Sequence, residues 1–163
     1  MTYCYRNDLT AKLVRSLLDY NPETGIFYWR IDRSTKVRAG DRHYGYIRIK
    51  INGVPYQAHR LAWLFATGEW PKEEVDHINL VRNDNRFCNL REATHAENRV
   101  NRPPREKLLG LPRGVRIRPN GKFEACIAGI HLGTFDKVEE AADAYVIAAQ
   151  NLYGDFYREA EGT

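Results

Sequence analysis

The sequence predicts an α+β fold made of two parts. The N-terminal part is rich in β-type runs, has a hairpin turn at Asn52-Gly53 and ends in a strand-loop-strand-helix unit near residues 74–101. Residues 113–158 contain three short β-type runs and then an apolar stripe at helical spacing, which predicts a small three-stranded antiparallel sheet packed on one helix. A proline pair and a basic run indicate a linker at 102–112, so the first domain is expected to span 1–101.

The N-terminal part predicts a helix, a strand and a hairpin, in that order. Leucine and valine side chains recur at helical spacing after Thr10, and Asn21-Pro22 is expected to end this helix. Ile26–Arg30 has the composition of a strand. Tyr44–Ile51 and Val54–Ala58 are the two hairpin strands, because the Asn and Gly between them both accept positive φ.

A buried helix is predicted next. His59 and Arg60 open an apolar run that ends at Gly68. His59 is expected to be a packing or capping residue there. Two roles stay open for Arg60, which either packs with the helix or reaches a phosphate.

Two short strands and a loop follow. Val75–Ile78 is a β-type run that carries Asp76 and His77, whereas Asn79–Asn89 is rich in Asn and lacks apolar periodicity, as loops do. Leu90–Ala93 is expected to be the second strand.

A helix completes this unit. Thr94 and Glu97 form a capping box, so the helix is expected to start at Thr94 and to carry Asn98 in its first full turn. Asp76 and Asn98 can then face one another across a hard cation such as Mg²⁺, while a neutral His77 takes a proton from water. This composition is typical of a one-metal phosphodiesterase site.

These residues resemble the HNH endonucleases, specifically the phage and intron-encoded homing type built on a ββα-metal motif. The resemblance covers roughly residues 20–101. It rests on Tyr20-Asn21-Pro22-Glu23-Thr24-Gly25, Gly45-Tyr46, Ala58-His59-Arg60-Leu61, Asp76-His77-Ile78-Asn79, Asp84-Asn85-Arg86, Asn89-Leu90-Arg91 and Glu97-Asn98.

The resemblance implies a role for each matching residue. Asp76 and Asn98 would be ligands of Mg²⁺ or Mn²⁺, His77 would be the general base, and Asn89 would orient the His77 ring. Leu80 departs from the pattern, since Gly is common at that position of the loop. For any one of these residues alone, a turn with a satisfied histidine or a self-bonded Asn is the more common explanation; the ordered set favours function.

The C-terminal part predicts a sheet and a helix. Its expected strands are Gly114–Arg118, Lys122–Ala128 and His131–Phe135, with turns at Asn120-Gly121 and Gly129. From Val138 an alanine-rich stripe predicts a helix that packs closely on the sheet and ends before Gly154. Asp136 with Glu139 resembles an N-cap arrangement.

This part, roughly Leu111–Tyr157, resembles the DNA-binding domain of plant ethylene-response (APETALA-type) factors. The matching stretches are Arg113-Gly114-Val115-Arg116, Asn120-Gly121-Lys122-Phe123, Leu132-Gly133-Thr134-Phe135 and Glu139-Glu140-Ala141-Ala142-Asp143-Ala144-Tyr145. In that family the sheet lies in the major groove. Arg113, Arg116 and Arg118 match contact positions of that family, and Lys122 and His131 are further candidate contacts. Several plant contact positions carry other residues here, so the plant base preference is not transferred.

Charge and composition bear on partners and compartment. The 163 residues carry a formal net charge of +4. Basic residues concentrate at Arg99, Arg102, Arg105, Lys107, Arg113, Arg116, Arg118 and Lys122, which indicates either a solvated linker or a segment that tracks the phosphates of double-stranded DNA.

Three isolated cysteines argue against a disulfide framework and a structural zinc site. The sequence shows no membrane-length apolar run, and a bacterial or phage-infected host cytosol is expected.

Two functions are therefore consistent with the sequence. One is a metal-dependent DNA endonuclease of the homing type, docked by its C-terminal sheet. The other is a non-catalytic, sequence-specific DNA-binding regulator in which the HNH unit is only a scaffold. Whether a monomer nicks one strand or a weak dimer cuts both stays open.

Overall fold

The computed structural model describes residues 6–31, 36–102 and 110–158. The chain has the predicted α+β composition and forms two compact units, Met1–His95 and Ala96–Thr163. Most of the predicted linker, residues 103–109, lies outside the described residues. Within the described ranges, none of the helices combines the length and apolarity that a membrane crossing requires.

The first unit begins with helix α1, Ala11–Leu17, and a three-stranded sheet of β1, Leu18–Asn21, β2, Ile26–Arg30, and β3, Lys36–Arg38. Thr10 caps α1 as predicted, because its Oγ1 accepts a hydrogen bond from the backbone N of Leu13 at 3.2 Å.

The expectation that this helix continues to Asn21 is wrong. Residues 18–21 leave the helix and pair antiparallel with β2. Leu18 is fully buried as the first residue of β1, and its position in the sequence satisfies both the helical spacing and the alternation of a strand. The backbone hydrogen bonds to β2 decide between the two.

The predicted hairpin forms two strands of a second sheet. Its strands are β4, Asp41–His43, β5, Tyr46–Ile51, and β6, Val54–Gln57, in that spatial order. At the turn Asn52 has φ 51° and Gly53 has φ 79°, as a two-residue hairpin loop requires. The predicted helix follows directly as α2, Ala58–Thr67, and ends at Gly68 with φ 89°.

The strand-loop-strand-helix unit is confirmed. Strands β7, Glu74–His77, and β8, Leu90–Ala93, pair antiparallel. The helix α3, His95–Asn101, begins directly after Thr94, and the division between the two units falls inside it.

The core of the first unit lies between its two helices and its sheets. Val14 of α1, Phe27 of β2, Ile49 of β5 and Leu61 of α2 are all buried in one apolar cluster. Val75 and Leu90 join this cluster from β7 and β8, so the strands that carry the polar residues are anchored in the core.

The second unit contains the predicted sheet and helix. Strands β9, Val115–Ile117, β10, Phe123–Ile127, and β11, Ile130–Phe135, pair antiparallel with β10 in the centre, and α4, Val138–Tyr153, packs on them. Ala141, Tyr145 and Ala149 are buried against the sheet, which confirms the packing role of the alanine stripe.

The predicted N-cap of this helix is wrong in detail. Lys137 occupies the N-cap position without a side-chain capping bond. The carboxylate of Asp136 instead pairs with Lys122 Nζ at 2.8 Å. An ion pair with a neighbouring turn has replaced the cap.

Candidate functional site

Strand β7 places Asp76 and His77 side by side, and both side chains are buried. Asp76 faces Arg91 across the β7–β8 pair, and Arg91 Nε donates to Asp76 Oδ2 at 3.0 Å. The guanidinium compensates a carboxylate that would otherwise lose its hydration on burial.

Asn85 makes the side-chain contact to the His77 ring. Its Oδ1 lies 3.2 Å from His77 Nε2, and Asn85 is almost fully buried. The resemblance implied this contact for Asn89, but the side chain of Asn89 is engaged elsewhere. The side chain that contacts the His77 ring nitrogen therefore lies four positions earlier in the same loop.

Asn89 fixes the loop that carries Asn85. Asn89 Oδ1 accepts from Asn79 N at 3.0 Å, its Nδ2 donates to the carbonyl of Asp84 at 2.8 Å, and its own carbonyl accepts from Ile78 N at 2.9 Å. These bonds tie both ends of the loop together. Leu80 adopts φ 64° within it, which explains in physical terms why glycine suits that position.

The turn between β1 and β2 supports the same loop from outside. Tyr20 Oη donates to the carbonyl of Asn85 at 2.7 Å, and the carbonyl of Pro22 accepts from Phe87 N at 3.1 Å. Gly25 has φ 70°, and a Cβ added there would lie 2.4 Å from Arg86 N. The turn and the loop thus fit only with glycine at this point.

A second histidine accompanies His77. The ring of His59, on α2, lies edge-on to the His77 ring with 5.0 Å between centroids, and Tyr46 lies 5.6 Å from His59. His59 is 7% exposed, and its Nδ1 has no hydrogen-bond partner among the residues that the structure describes. The sequence predicted only a packing or capping role for His59, because the separation of His59 and His77 along the chain does not indicate that their rings meet.

Both imidazoles are held neutral. Burial lowers the pKa of His77 below 6.5, although the hydrogen bond with Asn85 and the charge of Asp76 act in the opposite direction. Burial lowers the pKa of His59 further, and the nearby His77 and Arg60 add to that shift. A neutral imidazole is the form that can accept a proton.

Arg60 is placed inside the first unit. It is 4% exposed, and its guanidinium donates to the carbonyl of Glu73 at 3.1 Å and to Asn7 Oδ1 at 3.0 Å. Of its two expected roles, this placement favours packing with α2. We therefore leave Arg60 out of the proposed phosphate contacts.

Asn98 lies on α3 and is half-buried. The first residue of that helix, His95, is joined to the first residue of β7, since His95 Nδ1 lies 2.9 Å from Glu74 Oε1. Asn98 belongs to the second unit, so its pairing with Asp76 stays a prediction from the sequence.

On the sheet of the second unit, Glu124 gathers three of the predicted DNA-contact residues. Arg116 Nε lies 2.7 Å from Glu124 Oε2, while Arg118 Nη2 and His131 Nδ1 lie 2.6 Å and 3.0 Å from Oε1. Burial would raise the pKa of Glu124, but the bond from Arg118 and the neighbouring cationic charges outweigh it and lower the pKa. The sequence did not identify Glu124 as a site residue, because a single acidic residue in a basic stretch does not show which cationic side chains it will contact.

The other two predicted contacts are used differently. Arg113 donates through Nη1 to the carbonyl of Val100 at 2.8 Å and through Nη2 to the carbonyl of Arg102. It therefore satisfies carbonyls at the end of α3, where a cation is favourable. Lys122 projects from the turn before β10 and is paired with Asp136.

One comparison with known proteins bears on this geometry. The HNH endonuclease family model matches residues 56–100, which run from β6 to α3 and include Asp76, His77, Asn85 and Asn89. No solved structure matches the chain. The family match supports an HNH nuclease, a hydrolase that acts on DNA, in this part of the chain.

Proposed function

We propose that the protein is a metal-dependent DNA endonuclease of the homing type that hydrolyses phosphodiester bonds. One observation carries the proposal. His77 is buried, neutral and held by Asn85, and it lies beside the carboxylate of Asp76 within the segment that matches the HNH family. A scaffold without catalysis gains nothing from a neutral imidazole beside a buried carboxylate.

The donor chemistry fits a hard divalent cation. Asp76 offers a buried carboxylate, and the predicted partner Asn98 offers an amide oxygen, both of which suit Mg²⁺ or Mn²⁺. When bound, the cation stabilises negative charge that develops on the phosphate. Arg91 orients Asp76 by its bond to Oδ2.

His77 supplies the base. In the tautomer whose Nε2 donates to Asn85 Oδ1, the lone pair of the neutral ring lies on Nδ1, and Nδ1 is the atom that we propose accepts a proton from the attacking water. The bonds of Asn89 hold the loop, and the loop holds Asn85 in place. In this proposal Asn89 acts through the loop.

DNA docking is proposed for the face of the second sheet. The side chains of Arg116 and Arg118 are 66% and 52% exposed, although each is paired with Glu124. An exposed guanidinium that is already oriented by a carboxylate can exchange part of that pairing for a phosphate. Lys122 and His131 flank them as further proposed contacts.

Nicking of supercoiled plasmid tests the nuclease. We expect nicking with Mg²⁺ or Mn²⁺ and none with EDTA. His77→Ala should bind DNA as the unchanged protein does and cleave roughly 10²–10⁴-fold more slowly, which is the usual contribution of a general base. The control is His43→Ala, a histidine on β4 outside the matched segment.

Three outcomes would contradict the proposal. Cleavage that EDTA does not affect would exclude the metal requirement. Unchanged single-turnover cleavage by His77→Ala would exclude the base. DNA binding without any cleavage by the unchanged protein would support the regulator.

A further inference from the structure

Three side chains with metal-binding atoms meet on the sheet of the second unit. Glu124 and Cys126 are two residues apart on β10, so they project from the same face. His131 on β11 is the cross-strand partner of Cys126. Their donor atoms, a carboxylate oxygen, Sγ and Nδ1, all lie within 4.8 Å of one another.

A shift in strand register brings the three together. The pairing of β10 with β11 changes between Ala125 and Cys126, so Glu124 is opposite Thr134 while Cys126 is opposite His131. The irregularity moves His131 toward Glu124 as well as toward Cys126. Bulges commonly redirect side chains in this way at functional positions.

The distances suit a small cation. His131 Nδ1 lies 3.0 Å from Glu124 Oε1 and 3.9 Å from Cys126 Sγ. A tetrahedral zinc ion with bonds of about 2.0–2.3 Å separates its ligand atoms by about 3.3–3.7 Å. The two pairs that involve His131 are within a few tenths of an ångström of this spacing, and the donor atoms of Glu124 and Cys126 lie within 4.8 Å of each other, so side-chain adjustments of up to about 1 Å would place all three at bonding distance.

Glu124 is a buried carboxylate, 3% exposed, at the centre of the cluster. Its Oε2 pairs with Arg116 Nε at 2.7 Å, and its Oε1 lies 2.6 Å from Arg118 Nη2 and 3.0 Å from His131 Nδ1. Two guanidinium groups oppose a cation here, so the site requires a thiolate to add negative charge.

We propose that Glu124, Cys126 and His131 bind one transition-metal cation of the zinc class. Sulfur and imidazole nitrogen select such an ion over Mg²⁺, which prefers oxygen ligands only. Binding converts the Cys126 thiol to a thiolate, and the proton passes to solvent. This single-cysteine site with an open fourth position differs from the cysteine-rich structural zinc sites that the sequence argues against.

The cation joins β10 to β11 and competes with Arg118 for Glu124 Oε1. Metal loading therefore shifts Arg118 away from the carboxylate, whereas Arg116 keeps its partner Oε2. The site is separate from the proposed catalytic residues, because neither Asp76 nor His77 takes part in it, but it shares His131 and Arg118 with the proposed docking face.

Cobalt(II) provides the test. The full-length protein, kept reduced and in excess Mg²⁺, is titrated with Co²⁺ while absorption is recorded. We expect one equivalent to produce a thiolate-to-cobalt charge-transfer band with tetrahedral ligand-field bands, and Zn²⁺ to remove them. Oxygen ligation at Asp76 gives no thiolate band, so the spectrum separates the two sites.

Variants identify the ligands. Cys126→Ser should abolish the thiolate band, and His131→Gln should weaken Co²⁺ binding at least about tenfold. Cys88→Ser and Cys4→Ser are the matched controls and should keep the band. Thermal unfolding of each variant without metal shows whether it is folded.

Two results would overturn the proposal. One is the absence of any thiolate band at millimolar Co²⁺ in the folded protein. The other is a band that persists in Cys126→Ser and disappears in Cys88→Ser or Cys4→Ser.

Discussion

His59 and His77 are two imidazoles in contact inside the first unit, and both are neutral because they are buried. Their proximity means that a proton on either ring opposes a proton on the other. Protonation of this pair is therefore linked to unfolding as well as to the proposed catalysis.

This linkage predicts a pH dependence of stability. The pKa of His59 is lowered well below 6.5 in the folded protein, so the unfolded chain binds more protons once the pH falls below about 6.5. The contribution of His59 to the free energy of unfolding is complete above that pH and falls by up to about 1.4 kcal/mol per pH unit below it. Denaturant unfolding between about pH 7 and about pH 5 measures the slope.

A pair of variants isolates the contribution of His59. His59→Gln should flatten the slope, whereas His43→Gln, at a less buried histidine, should leave it as it is. An equal slope in His59→Gln and the unchanged protein would contradict this account.

Leu80 gives a second residue-level prediction. Its φ of 64° strains any residue that has a Cβ. Leu80→Gly and Leu80→Ala both remove the side chain, but only glycine tolerates this φ. The glycine variant should be more stable than the alanine variant by about 0.5–1 kcal/mol in denaturant unfolding. Equal stability, or a more stable alanine variant, would show that φ is not the cause.

Single residues differ in how far the sequence predicts them. The placement of Asp76 and His77 on one short strand was predictable, since they are adjacent in a run whose neighbours are apolar. It was not predictable that the His77 ring would be contacted by Asn85 and not by Asn89. Both are amides in one Asn-rich loop, and which of them reaches His77 depends on bonds from Tyr20 and Pro22, far away in sequence.

Among the structural elements, the turn between β1 and β2 has a role that its own residues do not reveal. It contacts the loop of Asn85 through a tyrosine hydroxyl, a proline carbonyl and the bare Cα of Gly25. The geometry of His77 therefore depends on a turn that lies outside the segment matched to the family.

Gly25→Ala should damage both stability and cleavage. The new Cβ would lie 2.4 Å from Arg86 N, so the loop must move in addition to accommodating the strain of φ 70°. Gly53→Ala is the matched control, because it has φ 79° and nothing within 4 Å of the added Cβ. We expect Gly25→Ala to cost at least about 1 kcal/mol more than Gly53→Ala in unfolding, and only Gly25→Ala to slow plasmid nicking.

If the two variants lost equal stability and cleaved equally well, the turn would not support the loop. The strand before this turn is an element that the sequence alone did not predict. The hairpin at Asn52-Gly53 was predictable from its own two residues, whereas β1 depends on pairing with β2 and was taken for helix.

For the whole molecule, the formal charge of +4 matters less than where the charge is exposed. Arg113 is used inside the second unit, while Arg116 and Arg118 are exposed on its sheet around Glu124. The sequence predicted the α+β order of both parts and this basic stretch. It did not predict that Arg113 is structural, because this role comes from hydrogen bonds to backbone carbonyls at the end of α3.

A salt titration of DNA binding tests the docking face. Replacing Arg116 and Arg118 with Ala should weaken binding and flatten the slope of log K against log salt by about 0.9 for each phosphate that the variant no longer neutralises. The metal requirement of cleavage should not change. Arg30→Ala removes an exposed arginine that is likewise paired with a carboxylate, Asp19, and serves as the control.

An unchanged slope in the double variant would place the docking surface elsewhere. A loss of DNA affinity in Arg30→Ala equal to that of the double variant would also place the docking surface elsewhere.

The contact between the turn at Tyr20–Gly25 and the loop of Asn85 limits how the proposed nuclease unit can be transferred to another protein. Residues 74–101 look like a portable cassette, since they contain both strands, the loop and the helix. Moved alone into a different host protein, they would leave behind the hydroxyl, the carbonyl and the glycine that hold Asn85 against His77. A working chimera would have to carry residues 18–30 as well, or its recipient would have to supply an equivalent turn.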